Sequence, residues 1–197
     1  MKRAIILHGT DGSPTELEWQ GWLEETLERS GYEVFFPQLP GCHRPNLKAY
    51  DDFLQKSGWD FSGNILVGHS SGATATLHLL QQDWFPKVEA TILVGVFLNE
   101  QLLVNAPWYT KGQFDHLFVD TLNINVIKTK SNKFYFVHGD DDPYCDFTQA
   151  RMLCEDLGGE FITMEGAGHI AKTAAIPTLP LLQEALCKDG YIVDENN

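Results

Sequence analysis

Ser70, Asp142 and His169 are the residues whose types and order could support nucleophilic acyl chemistry. Ser70 is the centre of Gly68-His69-Ser70-Ser71-Gly72. A serine hydroxyl is a weak nucleophile until a base takes its proton, and an imidazole base works best when a carboxylate fixes its tautomer. The pentapeptide follows the apolar run Asn64-Ile65-Leu66-Val67 and precedes Ala73 to Leu80, which reads as a buried helix. Strand, G-x-S-x-G and helix make a nucleophile elbow, in which the serine projects alone from a sharp, strained turn. Glycines are needed at 68 and 72 because a Cβ there would meet the neighbouring strand or helix. The helix then directs its N-terminus at the place where an oxyanion forms.

The oxyanion needs two backbone N–H donors. Ser71, next to the nucleophile, supplies one, and Thr10 in the loop His8-Gly9-Thr10 supplies the other, with His8 and Gly9 supporting that turn. The carboxylate is ambiguous, because Asp140, Asp141 and Asp142 are adjacent. In Gly139-x-x-Asp142-Pro143 the glycine lets the strand turn out and the proline fixes the backbone beyond the aspartate, which favours Asp142 and leaves Asp140 as the alternative. Repulsion should send the two unused carboxylates into solvent. Gly166-Ala167-Gly168-His169 is a small-residue loop able to carry an imidazole. The remaining histidines read as structural or surface residues, and His69 is expected to face away from the base.

These residues need a scaffold that gathers strand ends at one edge. Apolar runs alternate with amphipathic helical runs along the chain, the pattern of a parallel sheet with helices on both faces. The strands fall at Ala4–Leu7, Tyr32–Phe36, Ile65–Gly68, Thr91–Phe97, Phe134–Val137 and Glu160–Met164. Ser70, Asp142 and His169 then follow the third, fifth and sixth strands, at the edge where open α/β sheets bind ligands. Ser13-Pro14-Thr15-Glu16 reads as a capping box opening a helix whose stripe is Trp19, Trp22, Leu23, Thr26 and Leu27. Asn46 and Asp146 are set to cap later helices. A last helix spans about Pro177 to Lys188, and residues 189–197 read as a loose tail. The segment 98–131 is the least regular, and forms a small lid or binding wall or, equally, a plain helix with its own core contacts. Its aromatics Trp108, Tyr109, Phe114 and Phe118 are the candidate substrate contacts.

Composition narrows the partners. The 197 residues suit one domain with a substantial core. A net charge of −13 would be repelled by nucleic acid or an anionic membrane, so neither is an expected partner. No apolar run reaches the ~18 residues that span a bilayer. The opening Met1-Lys2-Arg3-Ala4-Ile5-Ile6-Leu7 reads as a strand, not a signal peptide. Cys42, Cys145, Cys154 and Cys187 are scattered and have no ligand spacing. They read as reduced thiols of a cytoplasmic protein without a metal site.

Taken together, His8-Gly9-x-x-Gly12-Ser13-Pro14, Trp19 and Trp22, Phe36-Pro37-x-Leu39-Pro40, Gly68-His69-Ser70-x-Gly72, Asp142-Pro143 and Gly166-x-Gly168-His169 resemble the small serine hydrolases related to retinoblastoma-binding protein 9. Ser, Asp, His is also the chain order of α/β hydrolases. The resemblance spans nearly the whole chain. It implies a minimal single-domain α/β-hydrolase fold over 1–197, with a six-stranded, mainly parallel sheet in the order 2-1-3-4-5-6. It also implies a triad on Ser70, Asp142 and His169, and no cofactor. The chain departs from the family at Ser71, where leucine is frequent, at Tyr50, where tryptophan is expected, and at Cys145-Asp146, where Val-Pro often occurs. Pocket-protein binding does not carry over, since no Leu-x-Cys-x-Glu is present. The expected function is cleavage of a small ester, thioester or amide through an acyl-enzyme on Ser70. An acyltransferase on the same triad and a non-catalytic binding protein on a hydrolase scaffold are the alternatives.

Overall fold

The computed structural model describes residues 1–12, 14, 18–171 and 176–193. Among them, the strands are β1 (Lys2–Leu7), β2 (Tyr32–Phe35), β3 (Ile65–His69), β4 (Val88–Val94), β5 (Ser131–Gly139) and β6 (Glu160–Met164). They pair in the order β2-β1-β3-β4-β5-β6, every pair parallel. This is the minimal α/β-hydrolase sheet. Parallel neighbours need crossover connections, so helices cover both faces and the central strands read as unbroken apolar runs. β3 is buried along its whole length.

The side-chain alternation of the strands divides the core in two. Ile5, Leu7, Leu66, Leu93, Phe134 and Phe136 pack under α2 (Leu47–Lys56), α3 (Ser71–Leu79), α4 (Ile124–Lys130) and α5 (Phe147–Leu157). Ala4, Ile6, Ile65, Val67, Ile92, Val94, Tyr135 and Val137 pack under α1 (Trp19–Arg29) and α6 (Pro180–Lys188). The caps form as their side-chain chemistry dictates. Asn46 accepts the Ala49 N–H at 3.0 Å, and Asp146 accepts those of Thr148 and Gln149 at 2.9 and 3.0 Å. Gly158, at φ 69°, closes α5 in the left-handed conformation that glycine adopts without strain.

Several boundaries differ from those expected. β4 starts three residues earlier and stops at Val94, where Gly95 at φ 57° turns the chain out of the sheet. α1 begins at Trp19, and Ser13, Thr15 and Glu16 of the expected capping box lie outside the described residues. The irregular segment 98–131 contains a 3₁₀ turn at Leu103–Asn105 and the short helix α4. Residues 189–193 are packed, not loose. Asp189 pairs with Lys133 and accepts the Tyr135 hydroxyl, Ile192 is buried, and the Val193 N–H donates to Ser30 Oγ. The remaining tail residues, 194–197, lie outside the described residues. No described helix is long and apolar enough to cross a membrane.

Candidate active site

The turn after β3 puts Ser70 at φ 55° and ψ −123°, a strained conformation for a residue with a Cβ. The surrounding glycines make it possible. A Cβ on Gly68 would come within 2.6 Å of Ala73 Cα, and one on Gly72 would overlap the Leu7 and His8 carbonyl oxygens. β3, α3 and the end of β1 therefore close on one another only with hydrogen at these two positions. The Ser70 N–H donates to Val94 O at 2.8 Å, which ties the elbow to the end of β4.

The Ser70 hydroxyl donates to His169 Nε2 at 2.8 Å, and His169 Nδ1–H donates to Asp142 Oδ2 at 2.9 Å. The other oxygen, Oδ1, accepts the N–H groups of Tyr144 and Cys145 at 2.9 and 3.1 Å. Burial alone would raise the Asp142 carboxyl, yet its bond to His169 and these further donors hold it below the usual carboxylate value. The structure therefore joins Asp142 to His169. Asp140 and Asp141 are exposed to solvent, as expected, but each also has a protein partner. Each turns back to the loop before His169, Asp140 accepting the Gly166 N–H at 2.8 Å and Asp141 the Gly168 N–H at 2.7 Å. Backbone donors offset the repulsion among the three carboxylates.

Thr10 Oγ1–H donates to Ser71 Oγ at 2.9 Å, so the two residues expected to supply the oxyanion donors are joined. Ser71 opens α3, where the first N–H groups have no partner within the helix. The loop carrying Thr10 is fixed by buried His8, which donates from Nδ1 to Gly9 O at 2.8 Å and accepts the Leu39 N–H on Nε2 at 2.9 Å. Burial lowers the His8 pKa, its bond to Gly9 acting against that shift, so the ring serves as a neutral strut.

His69 corrects an expectation. Its ring lies 5.4 Å from the His169 ring, packs edge-on against Trp19 and donates from Nε2 to His169 O at 3.4 Å. Burial, reinforced by the nearby His169, lowers its pKa to about 3. His69 is thus a neutral neighbour of the imidazole and lines the cavity. His138 is structural as expected, accepting the Val96 N–H on Nε2, with burial lowering its pKa to about 4.

Ser70 opens into a cavity of about 340 Å³. Phe97, Leu103, Trp108, Phe114 and Tyr144 form an apolar wall, and Gly9, Thr10, Asp11 and Gln20 lie among the polar lining. Of the four aromatics expected here, Trp108 and Phe114 line the cavity. Tyr109 and Phe118 stand behind that lining. Tyr109 stacks on Phe114 and donates its hydroxyl to Glu100, while Phe118 packs against Phe97. Tyr144 meets the His169 ring edge-on at 5.2 Å and accepts Trp108 Nε1–H at 3.1 Å. Neither Tyr144 nor Gly95 carried a sequence signal of its own. A Cβ on Gly95 would lie 3.2 Å from His169 Cε1, so the absent side chain gives the imidazole its room.

Asp142, Cys145 and His169 also bring three potential metal-ligand atoms within 4.8 Å of one another. These donors are engaged otherwise. The Cys145 thiol donates to Gly95 O at 3.0 Å, and burial pushes its pKa well up, whereas a metal would require the thiolate. The other two groups hold each other.

The comparisons with known proteins agree with this architecture. The ydeN gene product of B. subtilis has a similar fold, with a TM-score of 0.83 at 20% identity, covering 95% of this chain and 98% of that one. The esterase domain of a Rhodothermus marinus protein matches at 0.66 and 17%, covering 96% and 86%. Est1E of Butyrivibrio proteoclasticus, in a structure with ferulic acid bound, matches at 0.65 and 16%, covering 96% and 88%. At these identities the likeness is one of fold. No curated protein matches the chain in sequence. A family model described as serine hydrolase matches residues 4–188, from the first strand to the end of α6. With that match over nearly its whole length, the chain belongs to the serine hydrolase family.

Proposed function

We propose that this protein cleaves a small carboxylic ester, thioester or amide through an acyl-enzyme on Ser70. The observation that carries the reading is the unbroken bond chain from Ser70 Oγ through His169 to Asp142 beside a cavity. His169 Nε2 takes the serine proton as Oγ attacks the acyl carbon, then returns it to the leaving group. Asp142 keeps the proton on Nδ1 and supports the imidazolium. The N–H groups of Thr10 and Ser71 receive the oxyanion, and Thr10 Oγ1 keeps the two loops in register. Water then repeats the sequence on the acyl-enzyme. The names of two fold neighbours, an esterase domain and Est1E, are in keeping with an ester substrate.

Reaction with a fluorophosphonate probe, together with turnover of p-nitrophenyl acetate, tests this reading. The native protein should be labelled and active. Ser70→Ala should abolish labelling and reduce kcat by about 10⁴-fold with the fold intact. Labelling that persists in Ser70→Ala would remove the serine from its role, and an inert native protein would favour a binding function.

A further inference from the structure

His169 sits in a loop held under strain. The next residue, Ile170, has φ 50°, a region that a β-branched side chain rarely adopts, and is fully buried. Such a conformation persists only where the surroundings over-determine it. The restraints are visible on both sides of the histidine. Before it, the Gly168 N–H donates to Asp141 Oδ1 at 2.7 Å, and the Gly166 N–H donates to Asp140 Oδ1 at 2.8 Å. After it, the Ile170 carbonyl accepts Trp19 Nε1–H at 2.9 Å. Asp141 reaches across 27 residues of sequence and Trp19 across 151, so neither bond is a local turn. Beneath the loop, a Cβ on Gly139 would overlap the Gly168 carbonyl oxygen, so the end of β5 lies directly against it. The loop's own sequence supplies little stiffness, since Gly166 and Gly168 both have positive φ.

We infer that Asp141 and Trp19 are positioning residues for His169. They grip the peptides on either side of it, so that the imidazole spans Ser70 and Asp142. The inference rests on the proposed catalytic role of His169. It also gives the three consecutive aspartates related tasks, with Asp142 orienting the ring while Asp141 and Asp140 hold the chain that carries it. Asp140 bonds three residues from the histidine and has the weaker hold. A loop released on either side lets the ring leave the line between the serine and the carboxylate, and a displacement of about 1 Å can cost up to about 10²-fold in rate.

The test compares Asp141→Ala, Asp141→Asn and Trp19→Phe with the native protein and with His169→Ala, using p-nitrophenyl acetate. Asp141→Ala removes the acceptor and should lower kcat at least about tenfold with KM little changed. Asp141→Asn keeps an acceptor oxygen and should stay within about threefold of native. Trp19→Phe keeps an aromatic body but loses the N–H, and should lower kcat as Asp141→Ala does. Native kcat in Asp141→Ala and Trp19→Phe, even with lowered melting temperatures, would make these bonds purely structural and overturn the inference. If Asp141→Ala does not fold, Trp19→Phe and Asp141→Asn decide the matter by the same criteria. Native activity in His169→Ala would instead overturn the catalytic reading itself.

Discussion

Three adjacent carboxylates at the end of β5 have three different partners, His169 Nδ1 and the N–H groups of Gly168 and Gly166, and substitution should separate them. Asn at Asp142 can present an amide N–H to His169 Nδ1, which stabilises the wrong tautomer. It should cost about 10³–10⁴ in kcat with little loss of stability. Asn at Asp140 retains an oxygen for the Gly166 N–H, and should cost less than about tenfold. Steady-state kinetics with melting curves checks both. A crippled Asp140→Asn beside a mild Asp142→Asn would exchange their roles. The bond between Asp142 and His169 was legible because proline after an aspartate is a backbone statement, as Pro143 shows. What Asp140 and Asp141 bind was not legible. Their partners are main-chain N–H groups on a loop that approaches only when β6 pairs with β5, and main-chain groups carry no residue signal. The side that His69 faces was not legible for a related reason. A positive φ at Ser70 rotates the elbow, and alternation along β3 does not predict where its last side chain goes.

At the scale of elements, the segment after β4 is a wall fastened to the body. Gln113 Nε2–H donates to His43 O at 3.0 Å, the Leu47 N–H donates to His116 O at 3.0 Å, and Asn99 bonds Gln149 at 2.9 Å. Phe114 and Leu117 are buried beneath it. A fixed wall around a cavity of about 340 Å³ limits the acyl group it can enclose. Each enclosed CH₂ contributes about 0.8 kcal/mol, and those beyond the wall contribute little. In a series of p-nitrophenyl esters, kcat/KM should therefore rise over the first few carbons and then level or fall. A steady rise to dodecanoyl would reveal a groove longer than the wall provides. The sequence pointed to Trp108 and Phe114, which line the cavity, because an aromatic-rich irregular segment after a central strand must cover something. It could not separate them from Tyr109 and Phe118, which lie one layer back. The sequence allowed a helix in this segment but did not place α4, because a seven-residue helix has too few turns for a periodic stripe.

For the whole molecule, buried neutral histidines couple stability to acidity. Burial lowers His69 to about 3 and His138 to about 4, and lowers His8, from an ordinary value near 6.5. Each binds its proton in the unfolded chain at a higher pH than in the folded one. Their contribution is thus complete above about pH 6.5 and is lost as pH falls through the lowered values. Urea unfolding between about pH 6 and about pH 4 should lose roughly 1.4 kcal/mol per pH unit for His69, and less than that for His138 as the pH nears its own lowered value; His69→Gln should flatten the slope. A level profile would mean that the rings are charged in the folded state. The sheet order and the two-faced helix layers were the most legible features, since parallel pairing demands crossovers and buried strands must be apolar throughout. That same topology sets when the chain becomes reactive. Ser70 and His169 are 99 residues apart, and the histidine arrives only with the sixth strand, at the far edge of the sheet. During synthesis or refolding the elbow can form well before any base is near it. In the proposed mechanism such an intermediate holds a nucleophile with no means of activation. An unfinished molecule cannot acylate itself or its neighbours, and the first appearance of turnover marks the closing of the last strand.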